Sequence, residues 1–295
     1  MATIIDDKST HCIPFILSLL SSQSTSSTSS PFIIGLNGVQ GAGKTTLVET
    51  LSSTLNTHGH KTLVLSIDDL YLTHADQVSL AETHKQNPLV QHRGEPGTHD
   101  IELAATVFDA LKEGREVRVP SYDKSLFNGA GDRVPVSEWR TVNRPGEEKI
   151  RVVIFEGWCV GFRALGSSGV RAKIEAEGTR TLHSHRVQDL LFVDEKLEGY
   201  EVMNRTFDAL IHIDAEETEF VYEWRQQQEE VMRRERGMGM SREQVVRFVD
   251  GYCPAYELYT EALREGVFKG IEGMDGRQLR LIVGKDRRVK EVVKI

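Results

Sequence analysis

Phe32-Ile33-Ile34-Gly35-Leu36-Asn37-Gly38-Val39-Gln40-Gly41-Ala42-Gly43-Lys44-Thr45-Thr46 runs from an apolar strand into glycines and ends on Lys-Thr. The spacing from Gly38 across four residues to Gly43-Lys44-Thr45 satisfies G-x-x-x-x-G-K-[ST], and residues 46–55 follow at helical spacing. Backbone amides turn inward around a polyphosphate only where φ angles and close approaches are free of a Cβ, which is what the glycines supply. The helix that opens at the loop adds the positive end of its dipole. On this reading Gly38, Gln40, Gly41, Ala42, Gly43, Lys44, Thr45 and Thr46 cradle a nucleoside triphosphate. Lys44 reaches the β and γ phosphates, and the Thr45 hydroxyl ligates Mg²⁺. A glycine-rich turn that binds nothing is the bland alternative, and the order strand, motif, helix argues against it.

Outward from the loop, Lys61 to Ile67 reads as a buried strand that ends on Asp68 and Asp69. Ligand sites in open parallel sheets lie at the carboxyl ends of strands, so one of these acids is placed to take a proton from a substrate hydroxyl. Asp69 also reads as the cap of a helical turn. Arg151 to Phe155 is a second apolar strand, running into Glu156, where a second magnesium-associated acid belongs.

Two loops supply candidates for a second substrate. Arg93 and His99 lie in a Gly- and Pro-containing loop before the helix at Ile101 to Leu111; the loop and helix terminus make an anion cradle, although a lone His is more often structural. Asp100 or Thr98 is the expected N-cap. Tyr122, Lys124 and Arg133 lie in a polar loop suited to gripping a hydroxylated acid, since Arg holds a carboxylate through two parallel N–H bonds; a solvated turn is the alternative. Tyr71, Trp158 and Phe162 leave room for a stacked base instead.

The remaining segments read as helix over 187–204 and strand over Phe207 to Ile213, ending on Asp214. A long helix from Glu216 to Arg236 stops at Gly237, within a lid at about 216–240. Arg225 in it is placed to cross the transferring phosphate, or else to pair with Glu229 one turn on. Ser241-Arg242-Glu243-Gln244 is a capping box, and residues 278–283 and 289–293 form a closing hairpin. Strands alternating with helices place the chain in the α/β class.

The chain of 295 residues carries a formal net charge of −8, which argues against nucleic-acid and membrane-surface roles and for small-molecule partners. Cys12, Cys159 and Cys253 are far apart, so neither a zinc site nor a disulfide framework is indicated, and a reducing, cytoplasmic location fits. The apolar run Ile13 to Leu20 is too short to span a bilayer, and no secretory or transit peptide is expected. Residues 1–30 are expected as an amphipathic helix and a flexible Ser/Thr connector, residues 31–295 as one domain, and about 165–186 as a polar, mobile insertion.

Gly38 to Thr45, Ile67 to Thr73, Arg93 to Asp100, Pro120 to Ser125, Gly131 to Arg133, Phe155 to Trp158, Tyr222 to Arg225 and Phe248 to Tyr256 together resemble the plant and fungal D-glycerate 3-kinases and the yeast ATP-dependent kinases grouped with them. The wider group holds uridine, phosphoribulose and pantothenate kinases. The resemblance implies a P-loop kinase fold, a central parallel sheet flanked by helices on both faces, with a helical lid and C-terminal hairpin. It implies ATP and Mg²⁺ as cofactors, Asp68 as general base, Lys44 and Arg225 on the transferring phosphate, and Thr45 and Glu156 at the metal. The acceptor implied is D-glycerate, and the candidate contacts for it are Asp69, Tyr71, Arg93, His99, Tyr122, Lys124 and Arg133. A uridine- or pantothenate-type kinase and a non-catalytic nucleotide-binding regulator are the rival readings.

Overall fold

All seven residues of Phe32–Gly38 are buried, which requires cover on both faces of the sheet they belong to. A computed structural model describes residues 6–22, 30–237 and 239–295. Most of the expected Ser/Thr connector, residues 23–29, and the first five residues of the expected amino-terminal helix lie outside them.

In chain order the elements begin with α1 (Ser9–Ser22), β1 (Phe32–Gly38), α2 (Lys44–Thr57), β2 (Thr62–Ser66), α3 (His74–Thr83) and α4 (Ile101–Lys112). Four short strands follow, β3 (Val117–Val119), β4 (Tyr122–Asp123), β5 (Asp132–Arg133) and β6 (Arg140–Val142), and then β7 (Val152–Gly157). The second half holds α5 (Gly166–Glu175), α6 (Val187–Glu198), α7 (Glu201–Asn204), β8 (Ala209–Ala215) and α8 (Phe220–Arg236). Helices α9 (Arg242–Asp250) and α10 (Cys253–Glu265) and strands β9 (Gln278–Val283) and β10 (Val289–Lys294) complete it.

The main sheet has the order β10-β9-β8-β1-β7-β2. Its first five strands in sequence pair in parallel, and only β10 runs antiparallel, at the edge. The sheet is therefore mixed, with the expected carboxy-terminal hairpin as its one antiparallel step. Register places the chemistry: Glu156 lies level with Leu36 of β1 and with Ser66 of β2. The phosphate loop, Asp68 and Glu156 thus emerge from three adjacent strands at the same edge.

Local chemistry sets the boundaries. Asp100 Oδ1 accepts from the amide of Leu103 at 2.9 Å and opens α4, while the Ser241/Gln244 capping box opens α9. Helix α8 ends at Gly237, whose φ of +70° is the left-handed turn a glycine makes without cost. Strand β8 runs two residues past Ile213 because Asp214 is held inside it by Arg264 and Arg280. The helix expected over 187–204 breaks near Gly199 into α6 and α7.

Cys12, Phe15 and Ile16 of α1 are buried in the core, so this helix packs on the domain. The stretch read as a polar, mobile insertion contains α5 and packs Val170 and Leu182 into the core. Its helical spacing, Leu165, Val170 and Ile174, was hidden among glycines and charges. No helix among the described residues is long and apolar enough to cross a membrane.

Candidate active site

The glycine loop closes against the lid. Gly41 has φ +79°, and a Cβ there would lie 2.6 Å from Cβ of Trp224 on α8. Glycine is required twice over, by conformation and by space. Arg287, in the β9–β10 turn, donates from Nε to the Gly41 carbonyl at 2.7 Å and lies over the Trp224 ring. Lys44 Nζ donates to the carbonyls of Gly38 at 2.6 Å and Val39 at 3.2 Å. Burial lowers its pKa, while the nearby carboxylates of Glu156 and Asp68 oppose that shift. Asn37, buried at the end of β1, donates to the carbonyls of Trp158 and Val160 and ties the turn after β7 to the loop.

A cavity of about 1410 Å³ opens beside the loop and is lined by Lys44, Thr45, Asp68, Tyr71, Glu156 and Arg225, among others. Gln40, Gly41, Gly43, Thr46, Arg93 and Lys124 also line it. The structure therefore gathers the phosphate loop, both strand-end acids, the lid arginine and two of the expected acceptor cations around one space. Asp68 stands on a 3₁₀ turn, Ile67–Leu70, and pairs with Lys124. Burial pushes its pKa up, but Lys124, His99 and a hydrogen bond with Tyr71 outweigh that and hold it below the ordinary carboxylate value. A charged carboxylate beside the phosphate loop is equipped to accept a hydroxyl proton.

Arg225 combines the pairing expected one turn on with a place on the cavity wall. It pairs with Glu229 and lies over the Phe248 ring, with its Cζ 4.6 Å from the ring centroid, yet it lines the cavity. Its Nε is buried without a partner among the described residues. Glu229 also accepts from the Met240 amide at 2.8 Å, so one buried carboxylate holds the arginine and the end of the lid together.

Asp69, His99, Tyr122 and Arg133, expected as direct contacts of an acceptor, stand behind the lining instead. Asp69 completes the capping box with Ser66 and accepts from the Tyr122 amide at 3.2 Å, which leaves it as a tether between β2 and β4. His99 is stacked on Tyr71 at 4.4 Å and bonded through Nδ1 to the Tyr200 hydroxyl at 2.5 Å. Burial drives its pKa down to about 4, so it is neutral at physiological pH. Arg133 spends its guanidinium on the Tyr71 carbonyl and Asp100. Tyr122 packs edge-on to Tyr71, with its ring over Gly131. Ala42 is buried and Gly38 lies behind Lys44, so these two serve the loop through their backbone.

Sequence reasoning passed over Arg287, Asn37 and Glu95. Arg287 sits in a hairpin turn far along the chain, and nothing in its neighbours marks it. Asn37 is inside the apolar strand, where a buried polar residue was the available signal. Glu95 was visible only as one acid in a loop.

A family model described as the phosphoribulokinase/uridine kinase family matches residues 33–164. The chain is 41% identical over 239 residues to mug58, an uncharacterised kinase of Schizosaccharomyces pombe, across 80% of this chain and 84% of that protein. It is 37% identical to the chloroplastic D-glycerate 3-kinase of Arabidopsis thaliana over 79% of this chain but 48% of that protein. Among solved structures, D-glycerate 3-kinase from Cryptococcus neoformans matches with a TM-score of 0.85 at 33% identity, over 98% of this chain and 99% of that one.

Proposed function

The chain belongs to the phosphoribulokinase/uridine kinase family, among the relatives of the D-glycerate 3-kinases, and from that premise we propose that it transfers the γ-phosphate of ATP to the 3-hydroxyl of D-glycerate. The kinase class follows from the family. The observation that carries the acceptor is the placement of Arg93 and Lys124 on the cavity wall with Asp68, two cations beside one base. A small anion bearing a hydroxyl answers that arrangement.

In the proposed reaction the loop amides and Lys44 hold the phosphates. Lys44 leaves the carbonyls of Gly38 and Val39 to do so. Asp68 takes the proton from the 3-hydroxyl as the oxygen attacks the γ-phosphorus and ADP departs. Arg225 neutralises charge on the transferring group. Arg93 and Lys124 orient the carboxylate, and Lys124 exchanges its bond to Asp68 for one to the substrate.

The donor set present near the loop is a hydroxyl, Thr45, and a carboxylate, Glu156, both oxygen and both on the cavity. That set suits a hard cation such as Mg²⁺, which takes one or two protein oxygens and completes its shell with phosphates and water. When bound it would supply positive charge that offsets the charge of the phosphates. A cytoplasmic location belongs to the same proposal, since the cysteines are free and buried.

The test is ADP release from purified protein and Mg-ATP with D-glycerate, uridine, pantothenate or ribulose 5-phosphate. Stimulation by D-glycerate is expected, and it should fall about 10²–10⁴-fold in Asp68→Ala while ADP still binds. Stimulation by uridine alone overturns the acceptor. Undiminished turnover in Asp68→Ala overturns the base.

A further inference from the structure

Glu95 is 3% exposed, and neither carboxyl oxygen has a hydrogen-bond partner among the described residues, although it lies on the wall of the active-site cavity. The loop does not need that carboxyl for its shape. The turn is held by the Glu95 backbone carbonyl, which accepts from the amide and the hydroxyl of Thr98 at 3.1 and 2.8 Å. Gly94 beside it has φ +150°, and a Cβ there would meet the Tyr252 hydroxyl at 2.9 Å, so Tyr252 closes directly over the loop. Trp158, on the same cavity, has an indole N–H that is also buried and unpartnered. Asp68 and Tyr252 line the same cavity as Glu95.

An apolar side chain of similar size would fill this position without the folding cost of an unpaired buried carboxyl. A group that satisfies the carboxyl must come from outside the chain. Its chemistry is set by what surrounds Glu95: among the described residues no cation pairs with it, in contrast to Asp68 with Lys124. Burial accordingly pushes the Glu95 pKa well above the usual carboxylate value, which favours the neutral carboxyl, a group that both donates and accepts. A neutral hydroxyl matches it; an anion belongs with Arg93 and Lys124. We propose that Glu95 is the specificity-determining residue of the acceptor site and hydrogen-bonds the hydroxyl adjacent to the one that is phosphorylated. With D-glycerate as acceptor, a reading on which this inference rests, that is the 2-hydroxyl.

The test compares kcat/KM for D-glycerate with that for 3-hydroxypropanoate, which keeps the reacting hydroxyl and the carboxylate and lacks the 2-hydroxyl. Wild type should prefer D-glycerate. In Glu95→Leu the preference should shrink by about tenfold or more, the loss confined to D-glycerate, because one hydrogen bond to a buried group is then missing. Glu95→Gln, which also donates and accepts, should keep most of it. In the absence of acceptor the melting temperature of Glu95→Leu should equal or exceed that of wild type, since an unpaired polar group has been removed. Wild-type turnover of D-glycerate with an unchanged preference in Glu95→Leu overturns the role of Glu95 alone, as does an equal loss with both acceptors. Absence of wild-type turnover with D-glycerate overturns the acceptor reading and this inference with it.

Discussion

The ammonium of Lys124 donates to Oδ2 of Asp68, and this ion pair joins the loop after β4 to the end of β2 across the active-site cavity. Burial by itself would raise the Asp68 pKa; the pair, aided by His99 and Tyr71, reverses the direction. In the proposed reaction Asp68 works deprotonated, so activity should be lost as pH falls through its pKa, which the pair holds below the usual carboxylate range. Lys124→Met removes the largest contribution opposing burial, and the acidic limb of kcat/KM should move to higher pH. A pH profile at saturating Mg-ATP checks this. An unmoved limb rejects Lys124 as the contact that sets the base.

Arg225 is the lid residue whose guanidinium reaches the cavity while Glu229 holds it. Arg225→Ala should lower kcat by about 10³-fold or more, the range for an arginine that stabilises a transferring phosphoryl group. ADP affinity should change little, because the loop amides and Lys44 remain. Glu229→Gln should lower kcat less, by loosening the arginine. Single-turnover rates with ADP titration separate these outcomes, and a loss of affinity with intact kcat refutes the assignment.

Gly41 meets the lid at Trp224 with a positive φ. Gly41→Ala should cost at least about 1–2 kcal/mol from the left-handed backbone alone, with more from the contact, and should weaken nucleotide binding. Gly59→Ala is the control, since Gly59 has φ +81° with nothing within 4 Å of the added Cβ. Denaturant midpoints and ADP titrations of both variants decide between conformation and contact. Equal losses in the two leave the Trp224 contact without consequence.

His99 and His212 are both buried, and desolvation lowers each pKa from 6.5 to about 4. Between those values the unfolded chain binds protons that the folded chain refuses. This contribution to stability is therefore complete above pH 6.5 and is lost as pH falls toward 4, by up to about 3 kcal/mol for each histidine. His99→Gln or His212→Gln should flatten the dependence of unfolding free energy on pH in that window. The difference in slope between variant and wild type isolates the histidine from carboxylates titrating nearby. An unchanged slope denies the burial effect.

The strand, glycine loop and helix from Phe32 to Thr57 were legible because their signals are local: an apolar run, a spacing, a helical period. Asp68 and Glu156 were legible for a related reason, since an apolar strand ending on an acid marks the edge of a parallel sheet. The loops were legible as a group and not one by one. Arg93, bonded to the carbonyls of Gly129 and Ala130, and Lys124, paired with Asp68, still line the cavity, whereas Asp69, His99, Tyr122 and Arg133 are held behind it by partners up to 101 residues away in sequence, which no local pattern reports.

By itself the sequence determined the phosphate loop, the α/β alternation, the lid helix with its Gly237 stop and the two strand-end acids, since each follows from neighbours along the chain. Only the tertiary structure decided which side chains line the cavity. Packing brought Trp224 onto Gly41, carried Arg287 back to the loop, turned the residues near 165–186 into a helix on the core, and buried Glu95 without a partner. Whether a polar group supports the wall or lines it depends on which distant atoms satisfy its hydrogen bonds.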